Sequence, residues 1–151
     1  MDTQPAGSTI ETFDIDRFKA LYKTFDSNTL EQLPNLYSEE VSFKDPIHQI
    51  HGLADLRQYF ARFCSPDTYC SFEFMNQVVT CDQAFFHWQM HYSHPQLEHG
   101  RQLSLNGGSL IRFNNLITHH EDFYDMGAMI YTHVPVMGWV VKKINARLIS
   151  D

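Results

Sequence analysis

The chain has 151 residues, 43% of them apolar and 14% aromatic, which is material for one hydrophobic core and too little for two ordinary domains. A formal charge of -7, from 18 acidic against 11 basic side chains, leaves no basic face for a polyanion and excludes nucleic acid as the expected partner. Three cysteines, Cys64, Cys70 and Cys81, make an odd set without CxxC spacing, so neither a disulfide framework nor a zinc knuckle is indicated, and a reducing, cytoplasmic setting fits.

Residues 1–12 hold Pro5, Gly7 and Ser8 with few apolar side chains and read as a flexible tail. They show no basic region followed by an apolar run, and no later stretch has the length a bilayer crossing needs, so a soluble protein is expected. Asp14 or Asp16 can cap a helix whose Phe18, Leu21, Tyr22 and Phe25 recur at the spacing of one buried stripe, ending near residues 26–28. Thr29 starts a second helix carrying Leu30, Leu33, Leu36 and Tyr37, with Pro34 tolerated close to its first turn. Residues 41–45 alternate apolar and polar and stop at Asp45-Pro46, which reads as a short strand ending in a turn. After Gly52, residues Leu53, Leu56, Tyr59, Phe60 and Phe63 form the stripe of a third helix, stopped at Ser65-Pro66.

Four segments of strand character follow, at 69–80, 84–94, 102–113 and 116–126, and predict an antiparallel meander. The resulting fold class is α+β: a strongly curved antiparallel sheet with three N-terminal helices on one face, enclosing a cone-shaped pocket. The chain divides into a tail at 1–12, a domain at 13–126 and a C-terminal extension at 127–151. In that extension Val140, Val141, Ile144 and Leu148 make the stripe of a short amphipathic helix, with Lys142, Lys143 and Arg147 toward its negative end. It can dock on the domain or a second subunit, or lie on a membrane as a peripheral contact beside Trp139.

Residues 25–52, FDSNTLEQLPNLYSEEVSFKDPIHQIHG, resemble the SnoaL-like proteins of the nuclear transport factor 2-like superfamily and the related ketosteroid isomerases. The shared pattern is helix, break, a helix ending in Tyr-x-x-x-Val, strand, Asp-Pro, then Gly before the next helix. HHEDFYD at 119–125 is similar to the His-x-Asp-aromatic-aromatic-Asp of the last SnoaL-like strand. The resemblance implies the cone fold, a homodimer through the sheet, and functions from isomerisation and cyclisation to ligand binding without catalysis. It also implies that Asp45 is the base that moves a proton beside a carbonyl. The isomerases polarise that carbonyl with a Tyr from the first helix and a protonated Asp from a central strand. An ungapped count places Leu21, with Tyr22 one step away, and Ser109 at those positions. Two missing donors at about 3 kcal/mol each argue against steroid isomerisation.

Read residue by residue, Asp45 is open to two roles, a desolvated general base or a cap on the turn at Pro46. Period-two alternation sets His120, Asp122 and Tyr124 on one face of the last strand. The resemblance assigns that face to the pocket. A His two residues from an Asp can work as an oriented acid–base pair or simply order the sheet. Catalytic candidates are therefore Asp45, His120 and Asp122; ligand-binding candidates are Tyr22, Phe43, Phe60, Trp88, Tyr92, Ser109 and Tyr124. Trp88 shares an apolar face with Phe86, Met90 and Tyr92 and adds an N–H donor. Asn106, Gly107 and Gly108 read as a bulge near the cavity. His87 and His91 share a strand face about 13 Å apart, too far to hold one ion, and no phosphate or dinucleotide motif occurs, so neither a metal nor a cofactor is expected. Two readings follow: an apolar ligand pocket, acting as a cofactor-independent isomerase or cyclase on a small hydrophobic carbonyl compound, or a protein-interaction domain with a vestigial pocket.

Overall fold

The computed structural model describes residues 13–149; the flexible tail expected at 1–12 lies outside them. Helix α1 (Ile15–Lys23) is capped by Asp14, which accepts from the Arg17 amide at 3.0 Å, and it buries Phe18 and Tyr22 one turn apart. Helix α2 (Ser27–Gln32) starts at Asp26, whose carboxylate accepts from the Asn28 and Thr29 amides while the Thr29 hydroxyl oxygen accepts from the Asp26 amide. It is shorter than its sequence suggests, because Pro34 falls in a 3-10 turn over Leu33–Asn35 and Tyr37 already opens strand β1 (Tyr37–Lys44). A short strand that the alternation did not reveal, β2 (Gln49–His51), turns back on β1. Gly52 then adopts φ +89°, a conformation costly for other residues, and leads into α3 (Leu53–Ala61), which buries Leu56, Tyr59 and Phe60.

The meander is β3 (Tyr69–Val79), β4 (Gln83–Ser93), β5 (Leu103–Phe113) and β6 (Ile117–Tyr124), each pair antiparallel. Strand order in the curved, unclosed six-stranded sheet is β2-β1-β6-β5-β4-β3. After β2 the chain crosses to the far edge and the meander works back, so the last strand lies beside the first. That pair is parallel, with Phe43 opposite His120 and Lys44 opposite Glu121, which makes the sheet mixed where a purely antiparallel one was expected. The pleat sends the two pairs to opposite faces. Lys44 and Glu121 form an ion pair at 3.2 Å outside, while Phe43 and His120 are buried inside.

The core lies between the concave sheet face and α1 to α3. Phe86, Trp88, Met90 and Tyr92 of β4 are all buried on that face, and Phe18 stacks on Phe86 with ring centroids 5.0 Å apart. Gly107 and Gly108 form no bulge: β5 keeps regular register through both, toward β4 and toward β6. They are glycines because rings lie against them from opposite sides. A Cβ at Gly107 would stand 2.2 Å from the Trp88 ring, and one at Gly108 2.4 Å from Phe85.

Beyond β6, a short α4 (Met126–Met129) and a 3-10 turn at Tyr131–His133 lead to α5 (Pro135–Ile149). No helix among the described residues is long and apolar enough to cross a membrane.

Candidate functional site

Parallel pairing of β1 with β6 decides what meets in the hollow. Carried one residue past Lys44 and Glu121, the register sets Asp45 beside Asp122, on the inward face shared by Phe43 and His120. Both carboxylates line a chamber of about 60 Å³ together with Tyr22, Phe43, Phe60, Trp88 and Tyr124. Its walls also include Tyr59, Phe63, Phe72, Cys70, Met90 and Met129, which were not among the sequence candidates. A second, outer groove of about 410 Å³ shares Tyr59, Phe63, Cys70, Met90 and Met129 with the chamber. Those five side chains therefore form a neck between a small inner space and a larger outer one. The outer groove is also lined by Tyr92, whose hydroxyl donates to the Met129 carbonyl at 2.7 Å. Tyr92 thus belongs to the groove and not to the chamber.

Three expected site residues sit behind the wall or differ in posture. Asp45 both caps its turn and faces the chamber. Its Oδ1 accepts from the amides of Ile47 at 2.8 Å and His48 at 2.6 Å, and its Oδ2 accepts from the Tyr59 hydroxyl. Its lone pairs are largely engaged, which suits an anchor for Tyr59 better than a free base.

His120 is 1% exposed and does not reach the chamber; it stands behind Asp122. Its Nδ1 lies 2.8 Å from the Tyr37 hydroxyl and its Nε2 2.7 Å from Asp122 Oδ1. Ser109, also behind the wall, donates to the same Oδ1 at 2.5 Å and accepts from Trp88 Nε1 at 2.8 Å. The donor inventory fixes the direction of this network. Trp88 can only donate, so Ser109 passes its own proton toward Asp122. With the Asp122 carboxylate accepting, His120 donates from Nε2 and accepts at Nδ1 from Tyr37, whose oxygen accepts from Tyr22. Every proton then has an acceptor. A doubly protonated imidazole would leave the Tyr22 hydroxyl without one.

The consequence is an inversion of the expected pair. Asp122 faces the chamber and the histidine orients it from behind, where the residue order alone suggested an imidazole held by a carboxylate. All hydrogen bonds to Asp122 among the described residues go to Oδ1, and the side chain keeps 18% of its surface accessible, so Oδ2 opens on the chamber. Helix α1 directs Tyr22 to this network and leaves Leu21 only half-buried at the margin of the core.

Burial is the main cause that pushes the Tyr59 hydroxyl up, followed by its bond to Asp45 and that charge. Burial likewise raises Tyr124, with the Asp45 and Asp122 charges adding to it. Both phenols stay protonated through the neutral range and serve as hydrogen-bond donors. Burial first, then the neighbouring Cys64 and Asp122, pushes the Cys70 thiol up from 9.0 to about 12. A group raised on folding lends stability that is complete below its unfolded value and is lost as pH climbs to the folded one. We therefore expect stability to fall as pH rises from 9 toward 12 as this thiol ionises. Urea unfolding at pH 8, 10 and 11 checks the slope, and Cys70→Ala should flatten it.

A SnoaL-like domain model matches residues 18–120, which spans α1 through the middle of β6. The chain belongs to the SnoaL-like domain family. Among solved structures, an NTF2-like protein of unknown function from Burkholderia pseudomallei is 14% identical over 80% of this chain and 96% of its own, with a TM-score of 0.67. A candidate SnoaL-like polyketide cyclase from Jannaschia sp. is 13% identical over 87% and 97%, with a TM-score of 0.66. An LEH-like epoxide hydrolase from M. tuberculosis is 9% identical over 85% and 92%, with a TM-score of 0.63. At these identities the likeness is one of fold. No curated protein matches the chain.

Proposed function

We propose that this SnoaL-like domain binds a small hydrophobic carbonyl compound and shuttles a proton at the carbon beside the carbonyl, as an isomerase- or cyclase-type enzyme. One observation carries the proposal: Asp122 presents a single oxygen to an apolar chamber while its other oxygen is held by His120 and Ser109. A carboxylate fixed in this way is a general base with no reorientation left to do. Proton removal next to a carbonyl needs a donor for the developing oxyanion. Tyr124, two residues along the same face, is a phenol that keeps its proton and can supply it, whereas the one proton of Tyr59 across the chamber is already given to Asp45. Asp45 holds Tyr59 in place, and the aromatic walls exclude water, which strengthens both interactions. Structural neighbours described as a candidate polyketide cyclase and an epoxide hydrolase support small-molecule chemistry in this fold. The exposed Phe85 and Phe123 on the convex sheet face support a homodimer through the sheet.

The chamber takes the reacting head of a ligand and the outer groove its tail, since about 60 Å³ is far below the 300 Å³ or so of an ordinary ligand site. The test is a thermal-shift series with 2-decanone, 2-tetralone and their alcohols, followed by α-proton exchange in D₂O read by NMR. Ketones should stabilise the protein and exchange faster than in buffer. Absence of both effects for every ketone would leave the pocket vestigial and favour a protein-interaction domain.

A further inference from the structure

From Met126 to Ile149 the sequence contains no Asp or Glu but has Lys142, Lys143 and Arg147. The +3 of this stretch, taken from a formal -7, leaves the rest of the chain at -10, so charge is sharply segregated. The same stretch ends in α5, 15 residues long and so about 22 Å. Its substantial packing is on the 3-10 turn just before it. Gly138 is its one buried residue, and past Gly138 every described residue except Val141 is exposed. Trp139 is 62%, Ile144 53% and Leu148 77% exposed. At 100° per residue Val136, Met137, Val140, Ile144 and Leu148 fall within about 120° of arc, a largely apolar stripe of the usual width that Arg147 enters near one margin, at about 20°. Lys143 lies along one margin, one turn from Trp139, with its ammonium 4.8 Å from the indole centroid. A lone helix of this length is marginal in water. The first turns of α5 meet the domain at the cleft that Gly138, Trp139 and Lys142 share with Gln96, and the stripe beyond them is left exposed.

We propose that α5 is an interfacial anchor that lays this stripe on an anionic phospholipid bilayer. Lys143 beside the apolar stripe, Arg147 just inside its margin, a Trp close by and no carboxylate in the whole segment are complementary to a surface that is apolar beneath and negative above, since a long cationic side chain can reach up from the stripe to the charged layer. A symmetric pairing of two α5 helices would instead bring the Lys143 ammonium groups of both copies together. The root of the helix adjoins the outer groove, since Gln96 borders both the groove and the cleft formed with Trp139 and Lys142. A docked helix therefore keeps the groove near molecules dissolved in the lipid. The anchoring itself does not depend on the chemistry proposed for the chamber.

The full chain is sedimented with phosphatidylcholine vesicles and with equimolar phosphatidylcholine and phosphatidylglycerol vesicles at 0.1 M salt. Each cation near a charged surface adds about fivefold to partitioning, so the anionic vesicles should bind roughly 100-fold more tightly. Lys142→Gln with Lys143→Gln should lower that by ~25-fold, and 1 M salt should erase most of the difference. Ile144→Glu, at an exposed site, should abolish binding to both vesicles with its circular dichroism and Tm unchanged. Equal recovery in the supernatant with both vesicle types would overturn the proposal, as would equal binding to both. So would a dimer seen by light scattering that Ile144→Glu splits while neither vesicle binds, which would make a second copy the occupant.

Discussion

An Asp122→Asn variant is expected to lose α-proton exchange by about 10²- to 10⁴-fold, the usual contribution of a positioned general base. The substitution is nearly isosteric. Its amide oxygen can still accept from the His120 Nε2–H and the Ser109 hydroxyl, the two bonds that fix Oδ1 in the native chain. What disappears is the charge and the accepting oxygen turned to the chamber. Folding should therefore persist, and Tm should stay within a few degrees of wild type. Asp45→Asn provides the contrast. Its Oδ1 accepts two backbone amides and its Oδ2 the Tyr59 hydroxyl; an amide can keep the first two only as weaker, uncharged bonds, and its Nδ2 reverses the third, so that the Tyr59 proton loses its acceptor. That variant should lose stability as well as exchange. Exchange at the wild-type rate in Asp122→Asn, with ketone binding intact, would remove Asp122 from the chemistry.

The elements that could be read from the sequence are those whose buried side chains keep a strict period. Strand β4 is legible because Phe86, Trp88, Met90 and Tyr92 alternate without a break, and α3 because Leu56, Tyr59 and Phe60 stay on one stripe. Strand β1 is legible only from Val41 onward. Its inward series runs back to Tyr37, but Glu39 interrupts it, and a register shift toward β6 lies between Tyr37 and Ser42. The hydroxyl that completes the buried network was hidden by that irregularity. Strand β2 offers a single half-buried apolar residue, Ile50, within three positions, too little for any pattern.

At the site, periodicity sets His120, Asp122 and Tyr124 on one face, and the fold puts them there. It carries no information on depth. Phe18, Phe43 and Tyr37 crowd the His120 ring at centroid distances of 6.0, 5.1 and 5.9 Å, and this packing, supplied by α1 and β1, sinks the histidine behind the carboxylate. Tyr59 sat on the predicted buried stripe, yet its partner Asp45 is 14 residues away on another element, a contact that only the closed fold defines. The two glycines of β5 have a comparable origin. Their cause is the rings of Trp88 and Phe85 on the neighbouring strand, not a local change of backbone course.

The second large effect expected is on stability, at His120. Its ring bridges Tyr37 and Asp122 at 1% exposure. His120→Phe preserves most of the volume but removes both polar atoms. The Tyr37 hydroxyl then lacks its acceptor, and Asp122 loses one of two donors in a place poorly reached by water. Leaving such partners unmet costs about 1–3 kcal/mol for each neutral group and more for a charged one, so about 3–5 kcal/mol is expected in all. For a chain of this size that lowers Tm by roughly 10 °C. His120→Ala should cost somewhat more, because a cavity is added to the lost bonds. Combining His120→Phe with Tyr37→Phe separates the bonding from mere size, since the double variant no longer buries a hydroxyl without an acceptor. Its loss should be smaller than the sum of the two single losses by about 1 kcal/mol or more. Urea unfolding of the four proteins measures this coupling. Strict additivity, or a His120→Phe variant within 0.5 kcal/mol or so of wild type, would mean that the imidazole only fills space and that Asp122 owes its orientation to Ser109 alone.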